Sequence, residues 1–291
     1  MTTISTLGPA NTFSELAAKR YGKDSRSDFS IKLYPTIGKA FDAVGKDCSC
    51  AVLPIENMAE GYVSIVLDLL VHSELFIVDE LLVAIQFSLA CNCKSLDQVD
   101  KVYAQFVSQG QCSLFLDNLE DINIITTPSN GTSLEQLQKG LSGEAAIVPT
   151  FAVKEGDFPL IIRDISDHSN NQTRFITIAP NPTEYDPSVD YKTSLLVVES
   201  VDKPGVLSNI LSAFSKRNIN LVSIMSRPTK EMLGRYHFFI DVEGHYEESR
   251  IKESIFEIEK ENTIRILGSY PKAQKLIDIQ ENESDEKDNG C

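Results

Sequence analysis

Asn171-Gln172-Thr173-Arg174-Phe175 is the string of this chain whose residue types are best suited to chemistry. A hydroxyl next to an arginine suits work on a small anion: one group handles a proton, the other offers a fork to a carboxylate. Two further segments are of the same polar, turn-forming kind, Leu53-Pro54-Ile55-Glu56-Asn57 and Thr6-Leu7-Gly8-Pro9-Ala10-Asn11-Thr12-Phe13-Ser14. Each is expected at the end of an apolar run, where a strand stops and a pocket begins. Together the three outline a site that none of them would define alone.

The elements that must position these segments alternate in type. Ser14 to Gly22 reads as a helix with Leu16, Ala17 and Ala18 inward and Gly22 at its stop. Cys50 to Leu53 is a short buried strand halted by Pro54, and Val63 to Leu75 repeats its apolar positions at helical spacing. A strand over Glu80 to Leu89, another at Val102-Tyr103, a helix over Leu134 to Leu141 and a strand over Ala145 to Val148 follow. Strands alternating with helices imply an α/β architecture with helices on both sheet faces. Residues 181–192 are polar and proline-rich, a linker composition. Beyond them the order changes to strand (Thr193 to Glu199), helix (Gly205 to Lys216), strands (Ile219 to Ile224, Tyr236 to Val242), helix (Glu248 to Lys260) and strand (Thr263 to Leu267). That βαββαβ order is the ferredoxin-like unit, whose sheet leaves one face for a partner or another domain to cover. The acidic residues from Gln280 onward predict a disordered tail over about 276–291.

Bulk properties narrow the function classes. The chain has 291 residues, 42% hydrophobic and 24% charged, with a net charge of −15. Such acidity argues against broad nucleic-acid or anionic-membrane binding but leaves room for a locally basic pocket. No stretch approaches the roughly 20 apolar residues of a membrane span. Met1-Thr2-Thr3-Ile4 lacks the pattern of a signal peptide, so a cytoplasmic location is expected. The pairs Cys48/Cys50 and Cys91/Cys93 have no neighbouring histidine and a spacing unsuited to metal. Reduced structural thiols and no metal site are expected.

These motifs and this domain order resemble prephenate dehydratase with a C-terminal ACT domain. The carriers are Asp167, separated by three residues from Asn171, then Thr173-Arg174-Phe175; Gly8-Pro9 with Thr12-Phe13-Ser14; and Pro54-Ile55-Glu56-Asn57 with Glu60-Gly61 and Val63. The family implies a two-lobed catalytic part similar to a periplasmic-binding-protein fold over residues 1–180. One lobe takes about 1–78 with 160–180, the other 79–159, and an α+β ferredoxin-like ACT domain takes 192–271. The reaction implied is loss of water and carbon dioxide from prephenate to give phenylpyruvate on the way to phenylalanine, with no cofactor. On that resemblance Thr173 contacts the leaving hydroxyl, Arg174 holds a carboxylate or organises its loop, and Glu56 donates a proton or braces. Gly8, Thr12, Ser14, Asn57 and Asn171 become substrate contacts, Phe175 a pocket wall, while Ser14 reads equally as a helix cap.

Asp202-Lys203-Pro204-Gly205-Val206-Leu207 and Ser226-Arg227-Pro228 resemble the two elements with which ACT domains hold an amino acid. Gly205, Val206, Leu207, Ser226, Arg227 and Pro228 are therefore the allosteric candidates, with phenylalanine the ligand and a homodimer or homotetramer the assembly. The chain departs from the family pattern at Asn11, at Met58, at Met225 and at Ala104-Gln105-Phe106-Val107, where His-Pro-Gln is frequent. These departures keep other readings open: arogenate as substrate, decarboxylation without dehydration, or a non-catalytic sensor of small carboxylates and amino acids.

Overall fold

Thr12 and Ser129 each stand one residue before an apolar-periodic stretch, and each accepts a backbone N–H of the first helical turn. Helices Phe13–Asp24 and Asn130–Lys139 start at these caps. In the computed structural model, which describes residues 1–25, 27–119, 121–201, 203–230, 235–273 and 276–277, such helices flank three sheets.

The first sheet runs Leu276–Ile277, Phe76–Ala84, Gln172–Ala179, Cys50–Asn57, Thr2–Leu7, Phe29–Tyr34, with Gly61–Tyr62 added to Cys50–Asn57. The second runs Leu160–Ile162, Phe87–Cys91, Glu144–Pro149, Lys101–Gln105, Asn123–Thr127. Each is the spine of one α/β lobe, and the chain passes between them twice. At the crossings, Ile85 N–H donates to Asn171 O at 2.9 Å, Phe87 N–H to Ser166 Oγ at 3.0 Å, and Gln86 Nε2 to Ser169 O at 2.6 Å. The two segments are thus tied side by side as a double hinge, giving the two-lobed arrangement of periplasmic binding proteins.

Several expectations are corrected here. The strand expected over Glu80 to Leu89 is two strands in different sheets, broken at Ile85-Gln86. The lobe boundary therefore falls there and not at 78/79, and Leu160–Ile162 belongs to the second lobe. Pro54 does not end its strand: Cys50–Asn57 continues through it, with Pro54 opposite Phe175 just past a register shift. A proline lacks the ladder N–H, and such an irregularity tolerates it. The tail expected from 276 begins with a strand, since Leu276 and Ile277 pair with Leu82 and Val83; residues 278–291, Cys291 among them, lie outside the described residues.

The third sheet, Leu221–Pro228, Arg235–Glu243, Tyr191–Val201, Thr263–Pro271, is antiparallel and has the ferredoxin-like order. Helices Val206–Ser215 and Ser249–Glu259 cover one face through Ile210, Phe214, Ile251, Ile255 and Ile258. The other face is covered by the first lobe. Leu196, Phe239, Leu267 and Tyr270 share one apolar core with Leu53, Leu67, Ile77 and Ile176, each such side chain contributing roughly 1.5–3 kcal/mol on burial. At Gly268 the crossing is so close that a Cβ would sit 2.0 Å from Ile77 O, so no other residue fits there.

Candidate active site

Strands Cys50–Asn57 and Gln172–Ala179 are antiparallel neighbours at the centre of the first sheet, with Thr173 opposite Asn57 and Arg174 opposite Glu56. Side chains alternate across a strand, so this register sends the two pairs to opposite faces. The segments expected as turns ending apolar runs are themselves strand residues, and that decides which groups meet.

On one face, Asn57 Nδ2 donates to Thr173 Oγ1 at 2.8 Å and lies 3.3 Å from Gln172 O. Asn57 Oδ1 accepts the N–H groups of Ala59 and Glu60 at 2.9 and 3.0 Å. The amide is held at both ends, which fixes its donor toward Thr173. Thr173 therefore accepts from Asn57, and among the described residues its own hydroxyl hydrogen has no protein acceptor. It is available to a group in the cleft. Asn171, 3% exposed, donates to Gln111 Oε1 at 3.1 Å. Gln111, from the second lobe, donates in turn to Glu60 Oε1 at 3.3 Å. A polar chain thus spans the lobes beside Thr173, while Asn171 Oδ1 is buried and accepts nothing among the described residues.

The opening motif stands at the same end of the first sheet, because strand Thr2–Leu7 runs parallel to Cys50–Asn57. Thr12 is the cap of helix Phe13–Asp24, accepting from Glu15 N–H and donating to Pro9 O at 3.1 Å. Ser14 is not the cap; it lies inside the first turn and is 7% exposed. Gly8 ends strand Thr2–Leu7, its N–H on Tyr34 O at 2.8 Å. Across the cleft, a Cβ on Gly131 would lie 2.5 Å from Ala10 O and 3.2 Å from Pro9 Cγ. The N-terminus of helix Asn130–Lys139 therefore abuts the loop leading into helix Phe13–Asp24. Two helix N-termini, one from each lobe, converge there, an arrangement that favours anions.

The other face holds a different set. Arg174 points away from Thr173 into the boundary with the third sheet, where Nη1 meets Asp241 Oδ2 at 2.6 Å. Glu80 Oε2 lies 3.5 Å from the same nitrogen, and Glu56 Oε2 lies 3.5 Å from Nε. The expected carboxylate fork and proton donor are thus not assembled with Thr173, because strand alternation separates 173 from 174 and 56 from 57. Burial disfavours the Arg174 charge, yet Asp241 and Glu80 outweigh it and hold the pKa above its ordinary value. Burial likewise raises Asp241, and Arg174, the Ser194 hydroxyl and Lys192 overturn that, leaving it lowered. Phe175, 1% exposed, packs in the core with Phe13 and Leu16, so it is core and not a pocket wall. Asp167 accepts from Ser113 N–H and Oγ and from Leu114 N–H at 2.8 to 3.0 Å, bracing a second-lobe turn.

Gln111, Glu60 and Gly131 are the participants that sequence reasoning left without a role, although Glu60 stood in the motif that follows Pro54-Ile55-Glu56-Asn57. The five described cysteines are buried and unpaired, and burial, assisted by neighbouring charge, pushes the Cys50, Cys91 and Cys112 thiols up to about 12. They are structural thiols, not nucleophiles.

In the C-terminal unit, Gly205 (φ 91°) leads into helix Val206–Ser215, with Leu207 exposed and Val206 half-buried. Asp202 lies outside the described residues. Ser226 and Pro228 are exposed on the edge strand Leu221–Pro228, whereas Arg227 turns inward to Asp68 of helix Ser64–Val71, with Nη2 on Oδ2 at 2.6 Å. The Arg227 hydrogen bond more than offsets burial and brings the Asp68 pKa down to about 2.

Comparison with known proteins identifies the family. The family profile for prephenate dehydratase matches residues 4–183, and that for the ACT domain residues 194–260. The bifunctional chorismate mutase/prephenate dehydratase of Aquifex aeolicus is 34% identical, covering 93% of this chain and 74% of the relative. The prephenate dehydratase of Bacillus subtilis is 31% identical, covering 92% and 98%. A crystal structure of prephenate dehydratase from Arthrobacter aurescens in complex with L-Phe superposes with a TM-score of 0.81 at 31% identity, covering 94% of this chain and 91% of that one. With both profiles matched in order and homology along nearly its whole length, the chain belongs to the prephenate dehydratase family, with an ACT domain at its C-terminal side.

Proposed function

We propose that this protein is a lyase that converts prephenate to phenylpyruvate in phenylalanine biosynthesis, and that phenylalanine inhibits it through the ACT domain. The observation that carries the reading is the hydrogen bond from Asn57 Nδ2 to Thr173 Oγ1, which leaves the Thr173 hydrogen free for the departing hydroxyl. The ring C–O bond breaks as its oxygen takes up a proton. The ring carboxylate leaves as carbon dioxide, and its bonding pair completes the aromatic ring. Aromatisation supplies the driving force, so the site has to position and protonate, without a cofactor.

A threonine hydroxyl is too weak an acid to supply the proton alone, so its role is to donate a hydrogen bond and relay. Asn57 makes that easier by stabilising negative charge as it develops on Oγ1. Asn171 Oδ1, buried with no donor, offers an acceptor to a substrate hydroxyl. The converging N-termini at Thr12 and Ser129 provide backbone N–H groups for a carboxylate, in the place first assigned to Arg174. Gly8 and Ser14 shape that wall.

The regulatory ligand is read from Gly205 to Leu207 and Ser226 to Pro228, with a homodimer or homotetramer in the cytoplasm as the working form. Purified protein should form phenylpyruvate from prephenate, measured by absorbance, and phenylalanine should suppress it. Product from arogenate alone would reassign the substrate, and no product from either would leave a sensor.

A further inference from the structure

We infer that Arg174 is a positioning residue that ties the placement of Thr173 to the ACT sheet through Asp241. The inference deepens the regulation proposed above and rests on that reading for its effector.

Thr173 and Arg174 are adjacent on one strand, so the backbone cannot reorient at one without moving the other. Asp241 belongs to strand Arg235–Glu243 of the ACT sheet, and besides Arg174 it accepts from Ser194 Oγ at 2.6 Å and Ser223 Oγ at 3.1 Å. Ser194 Oγ is also 2.7 Å from the Tyr270 hydroxyl. Asp241 is thus set by three strands of the regulatory sheet, and it sets Arg174 in turn. The register with Cys50–Asn57 shifts immediately after Arg174, so the ladder on that side is interrupted next to the site, while the pairing with Phe76–Ala84 runs unbroken there.

Arg174 also has an alternative partner. Its Nε is buried with no hydrogen bond, and Glu56 Oε2 lies 3.5 Å away. Glu56 immediately precedes Asn57, the residue that donates to Thr173. A buried guanidinium is strongly disfavoured without a carboxylate. A rearrangement of the ACT sheet that draws Asp241 back therefore leaves Arg174 to Glu80, 3.5 Å from Nη1, and to Glu56, which closes on the unpartnered Nε. That exchange pulls on residues 56 and 174 together and disturbs the Asn57–Thr173 hydrogen bond. An effector that prefers one sheet arrangement would bias catalysis by this route.

The test compares full-length wild type with Asp241→Asn, Ser223→Ala, Arg174→Met and Arg174→Lys. It measures turnover of prephenate, inhibition by phenylalanine, and amide hydrogen exchange over Gln172–Ala179. Asp241→Asn should raise the phenylalanine concentration for half-inhibition about tenfold and speed exchange at that strand. Ser223→Ala, a milder change at an edge strand, should shift both in the same direction. Arg174→Met should lower kcat with KM near wild type, and Arg174→Lys should restore part of it. Folded Asp241→Asn and Ser223→Ala proteins with wild-type inhibition and exchange would overturn the inference. So would Arg174→Met raising KM at unchanged kcat, the sign of direct substrate contact. Should wild type not turn over prephenate, the proposed function fails by itself, and exchange at Gln172–Ala179 decides the coupling alone.

Discussion

Thr173 and Arg174 are consecutive in the chain yet serve opposite faces of one sheet, Thr173 meeting Asn57 at 2.8 Å and Arg174 meeting Asp241 at 2.6 Å. The strand that carries the Thr173 hydroxyl is thus also a strand against which the ACT domain packs. A motif that reads as one cluster in sequence is divided by strand alternation between the face that holds Asn57 and the face that meets the ACT sheet.

On the proposed mechanism Thr173 donates to the departing hydroxyl, so Thr173→Ala should lower kcat by roughly 10²–10⁴ with little change in KM. Thr173→Ser retains the oxygen and should recover much of the loss. Steady-state kinetics on prephenate decide it, and a Thr173→Ala enzyme with wild-type kcat would remove Thr173 from the mechanism.

Gly131→Ala introduces a Cβ at 2.5 Å from Ala10 O, backbone that cannot step aside. The lobes must part slightly where the two helix N-termini converge. Because alanine favours a helix over glycine by about 1 kcal/mol, global stability should change little. The value of kcat/KM should fall about 10- to 100-fold. Equal kcat/KM in both proteins would mean that catalysis tolerates a wider cleft.

How far the site was legible depended on the range of the contacts. Helices and the βαββαβ order follow from local pattern and stand close to where the periodicity places them, whereas the first helix is capped by Thr12 and not by Ser14. The crossing at Ile85-Gln86 left no mark, because Leu81, Leu82, Val83, Ile85, Phe87 and Leu89 form one apolar run across a change of sheet. The polar chain from Asn171 through Gln111 to Glu60 joins residues far apart in sequence, and no spacing rule reaches that distance. Asp241, by contrast, is marked by its neighbours. A carboxylate amid His237, Phe238, Phe239, Ile240 and Val242 must be buried with a cation, and Arg174 is the cation it finds.

Glu80 and Lys192 pose the same question at the domain boundary, with Lys192 Nζ at 2.8 and 2.7 Å from the two Glu80 oxygens and both side chains buried. Glu80→Met or Lys192→Met alone leaves the other charge buried and should cost about 3–5 kcal/mol. The double variant should cost much less than the sum. Chemical denaturation of all four proteins measures the coupling, and additive losses would show that the pair does not interact energetically.

Asp79 gives a pH dependence of definite sign. Burial, with the charges of Glu80 and Asp24 adding to it, raises its carboxyl from 3.8 to about 6 against the Glu80 N–H that lowers it. Between those values the folded protein binds a proton that the unfolded chain has released, so this group's contribution to stability falls as pH rises through the window and is flat above it. Asp79→Asn keeps an amide oxygen for the Glu80 N–H, which lies 2.8 Å from Asp79 Oδ1, and removes the buried charge. The variant should match wild type near pH 4 and exceed it by roughly 2–3 kcal/mol at pH 8. Urea denaturation at the two pH values is the check. A stability difference that stays constant between them would show that the Asp79 carboxyl titrates in the folded protein as it does in the unfolded chain.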